Sequence, residues 1–286
     1  GMTLKQWAEV WYQEVVCQKN ARGTRRKYRE YLNNHVYPVL GPLPLTKITT
    51  VELQNLVHAI RAKRAPRRTG NLSQGTAKTI LRMLYGCFCG AFERKLIEAL
   101  PFPIKRTNLL GAHETTFIRK TWTTGQVQDF LAGVLRCDPE WHPIFMTFFR
   151  SACRLGEVLA LTPESLDFLK GEITISQAYS EGVVGPTKTK RVNTIHMSQE
   201  LSLVLQAYLK QREREEEIRG LKFTYLFGWQ RDTPIAPNTL RDRFKKLTNF
   251  LGLPPIRVHD TRHTAAEIML EGGAPTVYVR DQLRHS

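Results

Sequence analysis

Near the C-terminus, His259-Asp260-Thr261-Arg262-His263 packs two imidazoles, a guanidinium and a carboxylate into one short stretch. On a helix, His259 and Arg262 stand three positions apart and can point to one spot. A second arginine lies far upstream in Cys153-Arg154-Leu155-Gly156-Glu157, and a further histidine, His285, comes late. Lys188 and Lys190 sit in the turn-rich stretch from Ser180 to Lys190. Two arginines, two histidines and a loop lysine are the inventory for transferring a phosphodiester without a metal. An arginine fork matches two phosphate oxygens and keeps its charge at any working pH. Two forks on one phosphate would neutralise charge building on its equatorial oxygens. A lysine can protonate a leaving alkoxide, and a histidine can handle the nucleophile's proton. Spacing alone leaves other readings open. Arg154 followed by Glu157 is also the pattern of a structural ion pair. His259 and His263, at i and i+4 with Asp260 and Glu267 nearby, have zinc-ligand spacing. That spacing lacks the glutamate of His-Glu-x-x-His, and Arg262 would repel a cation.

The charge balance says what such a site would act on. The chain carries 42 Lys and Arg against 26 Asp and Glu, a net charge of +16. Residues 1–117 hold 19 of the cations and only 7 of the acids, so most of the surplus lies in the first two-fifths. A polyanionic partner is implied, met by a dedicated basic module ahead of a more balanced domain. RNA is disfavoured, because no aromatic recognition pattern accompanies the charge. The five scattered cysteines read as reduced core residues, Cys87-Phe88-Cys89 included, since no second pair completes a zinc site. No apolar run approaches membrane-spanning length and no secretory signal opens the chain. We therefore expect no membrane partner and a cytoplasmic, nucleoid-associated location.

The elements that position these residues are mostly helical. Leu4, Trp7, Trp11 and Val15 mark a first amphipathic helix, capped by Thr3 with Gln6, and the two tryptophans read as core. A second helix runs from about Thr24 with Tyr28, Tyr31 and Leu32 on one side and Arg25, Arg26 and Arg29 on the other; it should stop before Pro38. Thr50 caps a third, to about Lys63. A basic, Pro- and Gly-broken loop follows, and then a helix from about Gln74 to Lys95 with Phe92 among its inward residues. Arg61, Lys63, Arg64, Arg67, Arg68 and Lys78 in this region join the three helix arginines as candidate DNA-backbone contacts, as do Lys190 and Arg191 later. Past a linker at 111–120, Thr123 and Gln126 cap a helix, and Pro143 opens an apolar helix delivering Arg154. Ile173 and Ile175 mark one strand, and Val192, Thr194 and His196 a second. Helices open at Ser198, whose Arg/Glu-rich end reads as solvated, and at Asn238. The expected fold is mainly α with a small antiparallel β-sheet, in two domains, 1–110 and 121–286.

Ser151-Ala-Cys-Arg-Leu-Gly-Glu-Val-Leu-Ala-Leu161 resembles the first signature box of the tyrosine recombinase (phage integrase) family. His259-Asp-Thr-Arg-His263 with Leu283-Arg-His-Ser286 resembles its second. The stretch Thr187 to Arg191, running into Thr194-Ile-His-Met197, is similar to its catalytic-lysine hairpin, and Tyr28 to Thr49 to its core-type, SAM-like DNA-binding domain. The likeness covers nearly the whole chain. It implies Arg154 and Arg262 as phosphate-gripping arginines, Lys188 (or Lys190) as general acid to the 5′-hydroxyl, His259 as acid/base, and His285 as a late phosphate contact. Glu157 would support the first arginine, and His263 has a supporting place. It further implies site-specific recombination without a cofactor, through a 3′-phosphotyrosyl intermediate, for a phage or mobile element. The partner would be a double-stranded core recombination site, clamped between the two domains, with a homotetramer at synapsis. Two departures are Thr261 where leucine is usual and Arg284 where glycine is usual. A third is that no tyrosine follows His285, where the family carries its nucleophile. A chain cut short before that tyrosine, and cleavage-defective as it stands, is expected. The other readings are an inactive DNA-binding regulator of the same fold and a type IB topoisomerase, the latter disfavoured by the basic N-terminal domain.

Overall fold

The computed structural model describes residues 1–63, 73–103, 106–110, 120–187 and 191–284. The chain divides into two compact units, Gly1–Phe117 and Ile118–Ser286, each with its own apolar core.

The first unit is helical. α1 (Leu4–Trp11) starts on the Thr3–Gln6 capping box, continues through a wide π turn at Tyr12–Val16 and closes with α2 (Cys17–Lys19). α3 (Arg22–Tyr31) runs through a second π turn at Leu32–Val36 into α4 (Tyr37–Leu40). Each π turn inserts one residue and rotates the apolar stripe. That corrects two expectations. Val16, at 1% exposure, takes the core position assigned to Val15. The helix also passes through Pro38 instead of stopping before it. Pro38 has no N–H to give the carbonyl four residues back, and that carbonyl, on Asn34, accepts the Lys63 ammonium instead.

α5 (Thr50–Ala62) is capped by Thr49 with Glu52, one residue earlier than expected. α6 (Gln74–Glu93) crosses α1, and the two tryptophans lie in that contact. A Cβ on Gly90 would stand 3.2 Å from the Trp7 ring and 3.3 Å from Trp11. Trp7 also donates from its indole to the Cys87 carbonyl at 2.9 Å. Phe92, expected inward, points to solvent. A 3-10 turn at Arg106–Leu110 returns Leu109 and Leu110 to this core.

The second unit is built around α8 (His142–Ser151), which is buried almost all round, as a central core helix must be. α7 (Thr124–Cys137), on the expected Thr123–Gln126 capping box, packs on α8. Trp122, Phe130, Phe145, Phe149 and, from farther along the chain, Phe244 form one aromatic cluster with ring centroids 5.2–5.9 Å apart. α8 ends at Ser151, and Ala152 turns left-handed with φ 53°. Arg154 is therefore not carried by that helix, as expected from sequence; it is the residue before the short α9 (Leu155–Leu159).

β1 (Leu166–Asp167) and β2 (Glu172–Ile175) begin an antiparallel sheet. β3 (Gln177–Ser180) and β4 (Val183–Pro186) form a separate hairpin in a stretch whose sequence reads as a loop. Its turn residues Glu181 and Gly182 both have positive φ, the signature of a tight two-residue hairpin. β5 (Asn193–His196) pairs with β2, setting Ile195 opposite Ile173. The inward residue of β5 is thus Ile195, while Val192 is exposed. α10 (Gln199–Arg219) follows. Its charged end is not wholly solvated, since buried Arg212 donates to the carbonyls of Gly228 and Tyr225 and stacks on Phe223. α11 (Pro237–Phe250) starts on Pro237, not on an Asn238 cap; Asn238 accepts from Arg241 instead. α12 (Asp260–Glu271) packs on α8, and α13 (Thr276–Leu283) packs on α12.

Candidate active site

Three arginines meet where α8 gives way to α9, beside the start of α12 and the end of α13. Arg262, in the first turn of α12, is 3% exposed. It donates to the Ala152 carbonyl at 2.6 Å and to the Leu283 carbonyl. Both partners are neutral main-chain oxygens, so these bonds hold its charge in place without neutralising it. Burial, together with the charges of Arg154 and Arg284, pushes its pKa down to about 10. It remains a cation at neutral pH, in a position that favours an anion.

Arg154 is fixed by Glu157. The Arg154 N–H donates to Glu157 Oε2 at 2.8 Å and its guanidinium to Oε1 at 2.9 Å. The Glu157 side chain is 5% exposed and that of Arg154 44%. One prong of the Arg154 fork, Nη1, is thus anchored on Glu157 while the side chain as a whole stays partly exposed. The structural ion pair and the phosphate-gripping role are compatible, because one carboxylate occupies only part of the guanidinium.

Arg284, at the end of α13, donates to Glu157 Oε2 and approaches Cys153 Sγ at 3.7 Å. Its side chain is 6% exposed, and its backbone is left-handed, with φ 52°. Glycine adopts that conformation freely and other residues with strain, which accounts physically for the usual glycine at this position. Sequence reasoning passes over Arg284 as a tolerated departure; the charge it adds near the site is visible there, its burial is not.

His259 precedes the first residue of α12, with φ −67° and ψ −28°. Its ring is solvent-facing and stands edge-on to His263, with centroids 5.5 Å apart. Partial burial, then the positive charges of Arg262, Arg257 and Arg154, lower its pKa, and Asp260 opposes them. The ring is thus held neutral and able to accept a proton. Asp260 is engaged by Arg257 through three donors, the N–H at 2.8 Å and the side chain at 2.9 and 2.6 Å. That carboxylate fastens the start of α12, and its lone pairs are spent on Arg257 instead of a metal. Among the described residues no group of three His, Cys, Asp or Glu is arranged to hold a metal ion.

The β3–β4 hairpin docks directly on the Arg154 turn. A Cβ on Gly156 would fall 2.5 Å from the Tyr179 carbonyl oxygen, so the strand passes where only glycine fits. Past β4, Thr187 is buried and donates to the Arg191 carbonyl at 3.1 Å, closing the base of the segment between β4 and β5. Lys188 and Lys190 within that segment lie outside the described residues, as does His285. Gln282 on α13 exchanges hydrogen bonds with the backbone of His196 on β5, holding the end of α13 near the site.

The candidate DNA contacts differ in exposure and in their surroundings. Arg26 and Lys78 face solvent, and so does Arg191. Arg29 is paired with Glu9 and stacked 3.9 Å over the Tyr12 ring. Arg25 donates to the Asn20 carbonyl at 2.6 Å, and Lys63 is committed to Asn34. Arg61 is half-buried, and Arg64, Arg67 and Arg68 lie outside the described residues.

Residues 121–286 match the model of the phage integrase family, and residues 3–60 match that of the phage integrase N-terminal SAM-like domain. The ICEBs1 integrase of Bacillus subtilis is 24% identical over 283 residues, covering 94% of this chain and 72% of the relative. Among solved structures, the Tn1549 transposon integrase in complex with circular intermediate DNA superposes with a TM-score of 0.83 at 18% identity. The match covers 100% of this chain and 92% of that one. A lambda integrase tetramer bound to a Holliday junction superposes with a TM-score of 0.69 at 15% identity, covering 100% and 78%.

Proposed function

Since this chain belongs to the phage integrase family, we propose that it is a site-specific recombinase cutting and rejoining duplex DNA for a mobile element through a 3′-phosphotyrosyl link. The observation that carries this reading is Arg262, a buried guanidinium held by main-chain carbonyls, with two further arginines close enough to depress its pKa. A scissile phosphate placed between Arg154 and Arg262 would supply the anion that this arrangement favours. As the tyrosine oxygen bonds to phosphorus, the bond to the 5′-oxygen breaks, and charge on the equatorial oxygens is met by the two forks. Lys188 would protonate the departing 5′-oxygen, with Lys190 the alternative. His259, held neutral, would take the nucleophile's proton, and His285 would add a phosphate contact.

The basic N-terminal unit would supply most of the sequence-independent affinity through Arg26, Lys78 and their neighbours. The partner would be a double-stranded core site, and the active assembly a tetramer on two paired sites, by analogy with the lambda integrase tetramer on its Holliday junction. The test is covalent trapping on a nicked duplex. A 3′-linked protein–DNA adduct that forms with chelator present and is lost in Arg262→Ala is the expected result. DNA binding without any adduct would leave a DNA-binding regulator of the same fold.

A further inference from the structure

We propose that Arg284 is a positioning residue for strand cleavage, an ion-pair strap that fastens the end of α13 to the Arg154 turn through Glu157. The inference rests on the phosphate-site reading above and adds a residue to it. Its ground is the geometry around one carboxylate. Glu157 Oε1 takes the Arg154 guanidinium, and Oε2 takes both the Arg154 N–H and Arg284. The Glu157 and Arg284 side chains are 5% and 6% exposed, so the pair is shielded from solvent and salt.

Two features put a local cost on the arrangement. An arginine holds a left-handed backbone, φ 52°, where glycine would be unstrained. It also brings a third guanidinium into a cluster already holding two, which adds repulsion that Glu157 offsets. Both costs are recovered if the strap does mechanical and electrostatic work. Mechanically, it joins residues 127 positions apart in sequence and ties the end of α13 to the Arg154 turn. Arg262 completes the same joint, bonding Ala152 on one side and Leu283 on the other. Electrostatically, Glu157 divides its single charge between two cations, so it neutralises less of Arg154. Three guanidiniums and one carboxylate leave a net +2, matched to a phosphodiester that takes on a second negative charge as the nucleophile adds.

The test is a double-mutant cycle. Arg284→Gly suits the backbone, so the variant folds, which circular dichroism checks. DNA affinity is expected to stay within about twofold, while single-turnover adduct formation falls on the order of tenfold. Glu157→Gln lowers the same rate, and the double variant is expected to be no slower than the worse single variant, since Glu157→Gln already weakens the connection that Arg284→Gly removes. Arg284→Lys, retaining the charge, should recover part of the rate, whereas Arg284→Met, retaining the bulk without the charge, should not. An unchanged rate in Arg284→Gly, or effects that multiply in the double variant, would overturn the proposal. Arg262→Ala run alongside separates the two ideas: if it still cleaves, the phosphate-site reading fails. If it is inactive while Arg284→Gly is unaffected, only the strap fails.

Discussion

The two units of this protein use arginine in opposite ways. In the N-terminal unit cations work largely by number, although Arg25, Arg29 and Lys63 are tied to named partners. Residues 1–117 carry a net +12, and the ion pair Arg94–Glu14 lies at a half-exposed position where pairing is worth little. In the C-terminal unit, where 23 cations face 19 acids, cations work by address. Arg212, Arg262 and Arg284 are buried or nearly so, each aimed at named carbonyls or a named carboxylate. A surface charge is screened within about 10 Å at moderate salt, whereas a buried one is not. The first kind can gather DNA without discriminating between phosphates; the second can act on one phosphate. Binding and chemistry should therefore separate under mutation.

The sharpest break would come from Arg262→Ala. Cleavage is expected to fall by on the order of a thousandfold, the scale of losing a preorganised donor to developing charge, while DNA affinity in a gel-shift titration changes by a few-fold at most. A parallel loss of both would abolish the distinction between the units. Next in size is Gly156→Ala. Its Cβ would press on the Tyr179 carbonyl at 2.5 Å, and displacing packed backbone costs about 1–3 kcal/mol. A lowered midpoint of the C-terminal unit in a calorimetric melt, with slower cleavage, is expected. A variant as stable and active as wild type would show that the hairpin need not sit on the Arg154 turn.

How much of this was legible in the sequence depended on whether the information was local. Arg154, Glu157 and the His259–His263 cluster stand in short motifs, and the capping boxes at Thr3 and Thr123 are neighbouring pairs, so both could be read directly. The π turns could not. A 3.6-residue period assumes an unbroken ladder, and one inserted residue moved the buried stripe from Val15 to Val16. Pro38 misled for a related reason, since the carbonyl it leaves unpaired is taken up by Lys63, distant in sequence. The β3–β4 hairpin was missed because its turn uses Glu181-Gly182, with a non-glycine residue in left-handed geometry. The partners of Arg284 and Arg262 include residues more than a hundred positions away, and spacing carries no trace of them.

A smaller effect tests the N-terminal side. Arg26→Ala and Lys78→Ala, at exposed positions, should each weaken DNA binding evenly across sequences. Each should also reduce the slope of log affinity against log salt by about one. Their cleavage rate at saturating DNA should stay at the wild-type value. Arg29→Ala provides the internal contrast, because that side chain braces Glu9, Tyr12 and, through Glu9, Tyr37. It should cost stability in a denaturant melt as well as affinity. A flat salt response in all three would mean that the surplus charge is not the binding surface.

The smallest expected effect measures how far the field of the buried arginines reaches. His259 faces solvent, yet partial burial and the charges of Arg262, Arg257 and Arg154 keep its pKa below the ordinary histidine value of about 6.5. The sign follows directly. A histidine whose folded pKa is depressed binds fewer protons folded than unfolded, so its contribution to stability is present above about pH 6.5 and is lost as pH falls below it. Following the His259 ring proton by NMR, Arg154→Ala should move its titration upward, toward the ordinary value, without disturbing the bonds that hold Arg262. A histidine that does not respond would confine the arginines' influence to groups they touch. A shift would show the cluster setting the protonation state of a residue at the solvent edge.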